Sequence, residues 1–431
     1  MTTPSLSIIT LGCAKNQVDS EFIASAINPS EINISHSEDF ADIVLINTCG
    51  FIMDAKEESV DTILEYAQAR KDGRIKTLIV FGCLVERYRE SLTKEIPEVD
   101  MWFGVHDSEE ICKILEANAI IPKTRNKSMM TTPGHYAFIK IADGCDRQCA
   151  FCAIPAIKGK HLSKPIEEII DEAKSLVSEG VKELILIAQD TTYYGMDMYG
   201  RKMLPELLDR LAMESGAEWI RLHYAYPTGF PVELIDVMAK HKNICKYIDI
   251  PFQHVNDKIL KSMNRNHTHN DIIKLMDLFR KKIPDICIRT SFIIGFPGET
   301  RVEFNELVNF IKTYKPDRVG LFAYSDEEGT AAKELEDKVA QSTKLKRMNT
   351  LWSVQEKIAK HTNNEKFGNV MNVIIDEVFD TYLLGRTEYD SPEIDNLVTI
   401  HIPKGHPYST GQFIDVKITG YGAWDMIAEP V

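Results

Sequence analysis

Between residues 5 and 323 the chain repeats one unit: a short apolar run, a polar turn, then a stretch with apolar residues at helical spacing. The runs fall at 5–11, 42–47 and 76–81, and again at 137–142, 184–188, 219–224, 247–250, 286–294 and 318–323. Apolar runs alternating with helices mean strands buried on both faces, and hence parallel sheets. The first three units predict a flavodoxin-like open parallel sheet. The next six predict a partial (βα)6 barrel, short of the eight-unit form. After a long predicted helix at 344–366 the period changes to two. Runs at 370–375, 382–386, 397–402, 412–419 and 424–429, divided by Gly-rich turns, predict a small antiparallel β-barrel, OB-like in kind. The fold class is therefore α/β with a terminal β-barrel, divided as 1–131, 132–362 and 363–431. The first break lies in the polar link 122–134, which carries Lys123, Arg125 and Lys127 and ends Pro133-Gly134.

Cysteines mark the chemistry. The chain has 431 residues and nine of them are Cys. No apolar run nears the roughly 18 residues of a membrane span, and Met1-Thr2-Thr3-Pro4 does not begin a signal peptide. The expectation is a cytoplasmic protein whose thiols serve metal or redox chemistry instead of disulfides. Cys145, Cys149 and Cys152 stand in a C-x3-C-x2-C loop just past the run 137–142. Three thiolates so close can hold one soft metal centre. Zinc is one reading, with His161 or His135 as a fourth ligand, but zinc sites usually show a second Cys pair. Cys13, Cys49 and Cys83 are far apart in sequence, yet each sits beside a glycine just past a predicted strand. Carboxyl ends of parallel strands share one edge, so these three predict a second thiolate site. The opposing reading, small buried residues, suits Cys112, Cys245 and Cys287 better.

Polar residues cluster at the strand ends of the central series: Gln189-Asp190, 223–227, 251–254, 295–299 and Tyr324-Ser325. His254 is a candidate ligand, while His267 and His269 read as solvated.

The C-x3-C-x2-C loop, with Phe151 before its last Cys, resembles the radical S-adenosylmethionine (SAM) superfamily. The resemblance implies a [4Fe-4S] cluster on Cys145, Cys149 and Cys152, with one iron left open for SAM, whose reductive cleavage gives a 5′-deoxyadenosyl radical. Three dispersed cysteines ahead of this loop and a small β-barrel behind it resemble the methylthiotransferases over nearly the whole chain. That resemblance implies a second [4Fe-4S] cluster on Cys13, Cys49 and Cys83 as the source of sulfur, and a TRAM domain at the C-terminus. It also implies SAM contacts from Phe151, Gln189, Asp190, Gln253, His254, Gly295, Pro297, Gly298 and Glu299. Residues 363–431 hold four basic and eleven acidic residues, a net of −7 within a chain of −14. This balance favours a basic protein partner over a phosphate backbone. Residues 390–395, 221–224 and 249–254 resemble the branch that methylthiolates the β-carbon of an aspartate in protein twelve of the small ribosomal subunit, with nucleic-acid contact secondary and a separate electron donor. The alternatives are methylthiolation of transfer-RNA adenosine and a zinc-stabilised RNA-binding adaptor.

Overall fold

The computed structural model describes residues 3–28, 30–36, 40–116, 125 and 129–431. Most of the predicted link, with Lys123 and Lys127, lies outside the described residues. Arg125, expected in a solvated link, is instead buried and paired with Glu21 and Glu172. It ties the first helix of the chain to the central sheet.

Five strands, β1 (Ser5–Thr10), β2 (Asn33–Ser35), β3 (Ile43–Thr48), β4 (Thr77–Gly82) and β5 (Met101–Phe103), form a parallel sheet in the order β2-β1-β3-β4-β5. This is the flavodoxin-like order. The two edge strands escaped the sequence reading because three residues make no apolar run. Helices Ala14–Ala26, Met53–Lys71 and Cys83–Glu95 follow β1, β3 and β4.

The central unit opens with β6 (Tyr136–Lys140). A two-residue ribbon, β7 (Ala142–Asp143) and β8 (Leu162–Ser163), then pinches the Cys-rich loop at its base. β9 (Glu183–Ile187), β10 (Trp219–Leu222), β11 (Ile244–Asp249), β12 (Cys287–Ile294) and β13 (Arg318–Ala323) complete a six-stranded parallel sheet, ordered β13-β12-β11-β10-β9-β6. Alternation along each strand divides its side chains between two faces. Ile220, Leu222, Ile248 and Ile250 pack on the surrounding helices. Arg221, His223, Tyr247, Asp249 and Arg289 take the opposite, concave face.

Helix Gln341–Lys366 leads to a closed barrel of β14 (Val370–Val378), β15 (Tyr382–Thr387), β16 (Val398–His401), β17 (Phe413–Tyr421) and β18 (Met426–Pro430), in the order β14-β15-β16-β18-β17. The expected all-antiparallel barrel needs correcting at one seam, since β16 and β18 run parallel. A ring of five strands cannot alternate direction all the way round.

The barrel docks on the amino ends of the central strands. Phe413 packs edge-on against Trp219 at 4.9 Å, and Ile374 joins Trp219, Cys245, Tyr247 and Cys287 in one apolar cluster. Cys245 and Cys287 are thus core, as is Cys112 in the first unit. Charges complete the joint. Arg386 forks onto Asp376 at 2.8 and 2.9 Å, and its Nη1 stands 2.8 Å from Glu183 Oε2, an ion-pair contact off the hydrogen-bond line. Arg221 Nε donates to Glu183 Oε1 at 2.6 Å. Arg318 pairs with Asp390 at 2.5 Å, and Tyr247 OH donates to Asp395 at 2.7 Å. Tyr136 OH donates to Glu393, and the Lys246 backbone N–H to Glu388. Four of the eleven acids, Glu388, Asp390, Glu393 and Asp395, therefore face the central sheet.

Arg386, Arg221 and Glu183 are each 0% exposed. Removing one member of a buried ion-pair set leaves the others uncompensated. Arg386→Met is expected to destabilise the joint by about 3 kcal/mol, because Asp376 loses its guanidinium and Glu183 is left with Arg221 alone. Urea unfolding followed by tryptophan emission, with Trp219 under Phe413, measures this; an unchanged midpoint would show that the charges are incidental.

Candidate functional site

The first thiol set is assembled by turns. Cys13 caps helix Ala14–Ala26, Cys49 follows β3, and Cys83 opens helix Cys83–Glu95 straight after β4. Gly12 has φ +93°, and a Cβ there would stand 2.7 Å from Cys49 Cβ; a Cβ on Gly50 would stand 2.7 Å from the Cys83 carbonyl carbon. Only glycine lets these strand ends approach so closely. Asn16 Nδ2 donates to the Leu11 and Thr48 carbonyls at 2.8 and 3.2 Å, and its Oδ1 is 3.9 Å from Cys83 Sγ. Cys13 is exposed, whereas Cys49 and Cys83 are buried. Burial pushes the Cys83 thiol up to about 12, opposed by Lys158 and reinforced by Cys13 and Cys49. Cys49 is raised for the same first reason.

The second set lies on the loop closed by β7 and β8. Gly144 (φ +70°) turns against the Lys160 carbonyl. Cys145 N–H donates to Gly159 O at 3.1 Å, and Ala150 N–H to Met263 O at 2.9 Å, pinning the loop at both ends. Arg147 N–H points at Cys145 Sγ (3.4 Å), and Cys149 Sγ is 3.6 Å from Arg265 Nη1 and 3.7 Å from Tyr226 OH. Burial pushes Cys145 up to about 11 and Cys152 to about 12. The Tyr226 ring is sandwiched by guanidinium groups, Arg147 Cζ at 4.2 Å and Arg265 Cζ at 4.0 Å. Sequence reasoning missed Arg147, Tyr226 and Arg265 as individuals. The one available signal was position, Arg147 inside the loop and Tyr226 in the turn 223–227.

The other expected site residues take two kinds of place. Gln189 Nε2 donates to Asp143 at 3.0 Å, and Asp190 accepts from Arg147 Nε at 2.8 Å and Thr192 Oγ1 at 2.6 Å. Phe151 packs beside Met263 and Phe296. Gln253 holds φ +70° between Ser291 and Ile293. These four border the loop or the carboxyl strand edge. His254 is wholly buried, its Nδ1 accepting from Asn256 N–H and its Nε2 3.6 Å from Glu299. Glu299 also accepts from Arg347 Nη1 at 2.6 Å and from Gly295 N–H at 2.9 Å. Gly295 abuts the Lys344 side chain, Pro297 is buried, and Gly298 N–H donates to Asp337 O. The turn 295–299 is therefore braced from behind by helix Gln341–Lys366. The reading of His267 as solvated is corrected: it is buried against Tyr226 and hydrogen-bonded to Thr228, and burial pushes it down to about 3. His269 is partly covered, with Nδ1 3.0 Å from Val255 O.

The two thiol sets meet. Cys83 packs against Val105, Ala153 and Ile157, and Ala153 directly follows Cys152. Lys158 bridges Asp19 (3.1 Å) and Asp143 (3.4 Å), and Lys140 joins the same two carboxylates. Lys15 Nζ stands 3.7 Å over the Tyr224 ring. Val18 and Ala14 of the first helix pack on Phe138, Ile185 and Ile187, so the N-terminal unit carries its cysteines over the open edge of the central sheet. Among the described residues no three His, Cys, Asp or Glu side chains close on a single ion. His135 is hydrogen-bonded to Asp376 and His161 to Ser163, so both proposed zinc ligands are engaged elsewhere. Three thiols without a fourth donor fit a cluster that spreads its ligands over separate irons and leaves one position open.

Residues 139–311 match the Radical SAM superfamily, residues 367–431 the TRAM domain, and residues 5–104 a family described as uncharacterized protein family UPF0004. The chain is 46% identical over 426 residues to the ribosomal protein uS12 methylthiotransferase RimO of Christiangramia forsetii, covering 99% of this chain and 94% of that one. It is 47% identical to the RimO of Flavobacterium johnsoniae, covering 99% and 98%. Among solved structures, the radical SAM methyltransferase TsrM of Kitasatospora setae shares the fold at TM-score 0.56 and 13% identity, over 77% of each chain. The radical SAM enzyme OxsB shares it at TM-score 0.53 and 11% identity, over 81% of this chain and 56% of that one.

A raised thiol pKa means a neutral thiol at neutral pH, so metal loading must expel a proton from each. In metal-free protein at pH 8, exposed Cys13 should be alkylated by iodoacetamide well before Cys83 and Cys152. Those two should react only as pH rises towards about 12. Peptide mass spectrometry across a pH series reads this, and early labelling of Cys83 would contradict its burial.

Proposed function

Since this chain belongs to the RimO family of radical SAM methylthiotransferases, we propose that it methylthiolates the β-carbon of an aspartate in ribosomal protein uS12. The observation that carries the reading is the pairing of full-length family identity with two thiol sets meeting at one junction. Cys145, Cys149 and Cys152 would hold the [4Fe-4S] cluster that binds SAM, and Cys13, Cys49 and Cys83 a second cluster. Bound there, these groups supply hydrogen abstraction from an unactivated carbon and a methylated sulfur to replace the hydrogen.

The chain's own residues bind and orient. Arg265 and Tyr226 would hold Cys149 in place and shield it from water. Arg147, fixed by Asp190, would set the loop against the carboxyl strand edge. Phe151, Gln189, Asp190 and Gln253 border the place where SAM would lie, and His254, Gly295, Pro297, Gly298 and Glu299 shape its far wall. Domain limits near 131 and 362 follow from the same reading, although helix Gln341–Lys366 runs past the second. A ribosomal substrate puts the reaction in the cytoplasm, with reducing equivalents from a separate donor and nucleic-acid contact secondary.

Mass spectrometry of uS12 after anaerobic incubation with reconstituted protein, SAM and reductant should show one added methylthio group on an aspartate. Cys49→Ala should lower the iron content and abolish that product. Methylthio transfer to transfer RNA, with none to uS12, would overturn the substrate assignment.

A further inference from the structure

We propose that Lys15 is the specificity-determining residue of this site, the cation that receives the carboxylate of the substrate aspartate. The proposal rests on the reading above that the substrate is an aspartate side chain.

Position comes first. Lys15 lies two residues beyond Cys13, in the first turn of helix Ala14–Ala26. Its ammonium reaches across the junction to the Tyr224 ring at the carboxyl end of β10. It therefore stands between the thiol set assigned to sulfur delivery and the strand edge assigned to SAM.

Availability comes second. The other buried or half-buried cations at this junction are engaged. Lys140 and Lys158 pair with Asp19 and Asp143. Arg147 pairs with Asp190, and Arg265 donates to Pro251 O and faces Cys149. Lys56 pairs with Glu327, while Arg87 donates to the Gly50 and Glu328 carbonyls. Among the described residues Lys15 has no hydrogen-bond or ion-pair partner. One face of a ring occupies part of an ammonium that carries three donors. The nearest carboxylates do not compete: Asp143 is held by Lys140 and Lys158, and Asp249 by Arg289 at 2.9 Å.

The platform under it is rigid. Tyr224 has φ +56°, a strained conformation for a residue with a side chain. Its N–H donates to Asp249 Oδ2 at 3.1 Å, and its carbonyl accepts from Thr191 N–H at 3.1 Å and Thr191 Oγ1 at 3.2 Å. Strain sustained by three hydrogen bonds fixes where the ring, and so the ammonium, stands.

The chemistry needs such a cation. The carboxylate of aspartate is one bond from its β-carbon. Anchoring it selects that carbon and one of its two hydrogens, and rejects the isosteric amide, which leaves the cation unmatched.

The test is binding. Cluster-loaded full-length protein is titrated anaerobically with fluorescent peptides carrying the uS12 target loop, with either its aspartate or asparagine. Wild type should bind the aspartate peptide on the order of tenfold to a hundredfold more tightly. Lys15→Met should bring that ratio to about 1 by weakening only the aspartate peptide, and Lys15→Arg should restore part of it. Iron content reports folding, and Lys15→Gln replaces the Met variant if iron is lost. A ratio preserved in Lys15→Met, or an equal loss on both peptides, overturns the role of Lys15 and leaves the uS12 assignment standing. Failure of wild type to bind or modify the aspartate peptide overturns the assignment itself, and the proposal with it.

Discussion

Arginine buried on the concave face of the central sheet governs how the molecule is put together. Arg221 and Arg318 are almost completely removed from water, and Arg289 nearly so. A buried guanidinium without a counter-charge costs several kcal/mol. The central strands supply Glu183 and Asp249, which is too few. The barrel supplies Asp390 to Arg318 and Asp395 to Arg289. The central sheet thus has a charge requirement that only the C-terminal unit meets, and the barrel becomes the floor of the partial barrel. These carboxylates are counted in the net charge of the sequence, although the fold neutralises them internally.

The thiol end obeys another logic. There the N-terminal unit, not the barrel, closes the structure, through Arg125, Lys140 and Lys158 and the apolar face of helix Ala14–Ala26. Lys158 is shared between the two sides. It sits on the helix that follows Cys152, pairs with Asp19 on the helix that follows Cys13, and tempers the raised pKa of Cys83. A single lysine thereby links the helix after one thiol set to the helix after the other.

Much of this is legible in the sequence alone. Long apolar runs announced nine of the eleven strands in the two parallel sheets, and the change to period two announced the barrel. The strands that escaped, β2 and β5, are three residues long at a sheet edge, where little burial is required and little pattern left. Cys13, Cys49 and Cys83 could be grouped because parallel topology alone brings strand ends together. Arg147, Tyr226, Arg265 and Lys15 could not be, because their roles depend on contacts between elements far apart in the chain, and no local spacing records those. His267 was misjudged for the same reason: polar neighbours in sequence hid an aromatic neighbour in space.

The floor made by the barrel has a geometric corollary. Trp219 against Phe413 and the Ser391–His223 hydrogen bond at 2.8 Å hold the barrel across the concave face, while the N-terminal unit packs on β6 and β9 and on the segment after Cys152. The central sheet is thus clasped by units that come before and after it in the chain, and the two thiol sets meet at the join between two of those units.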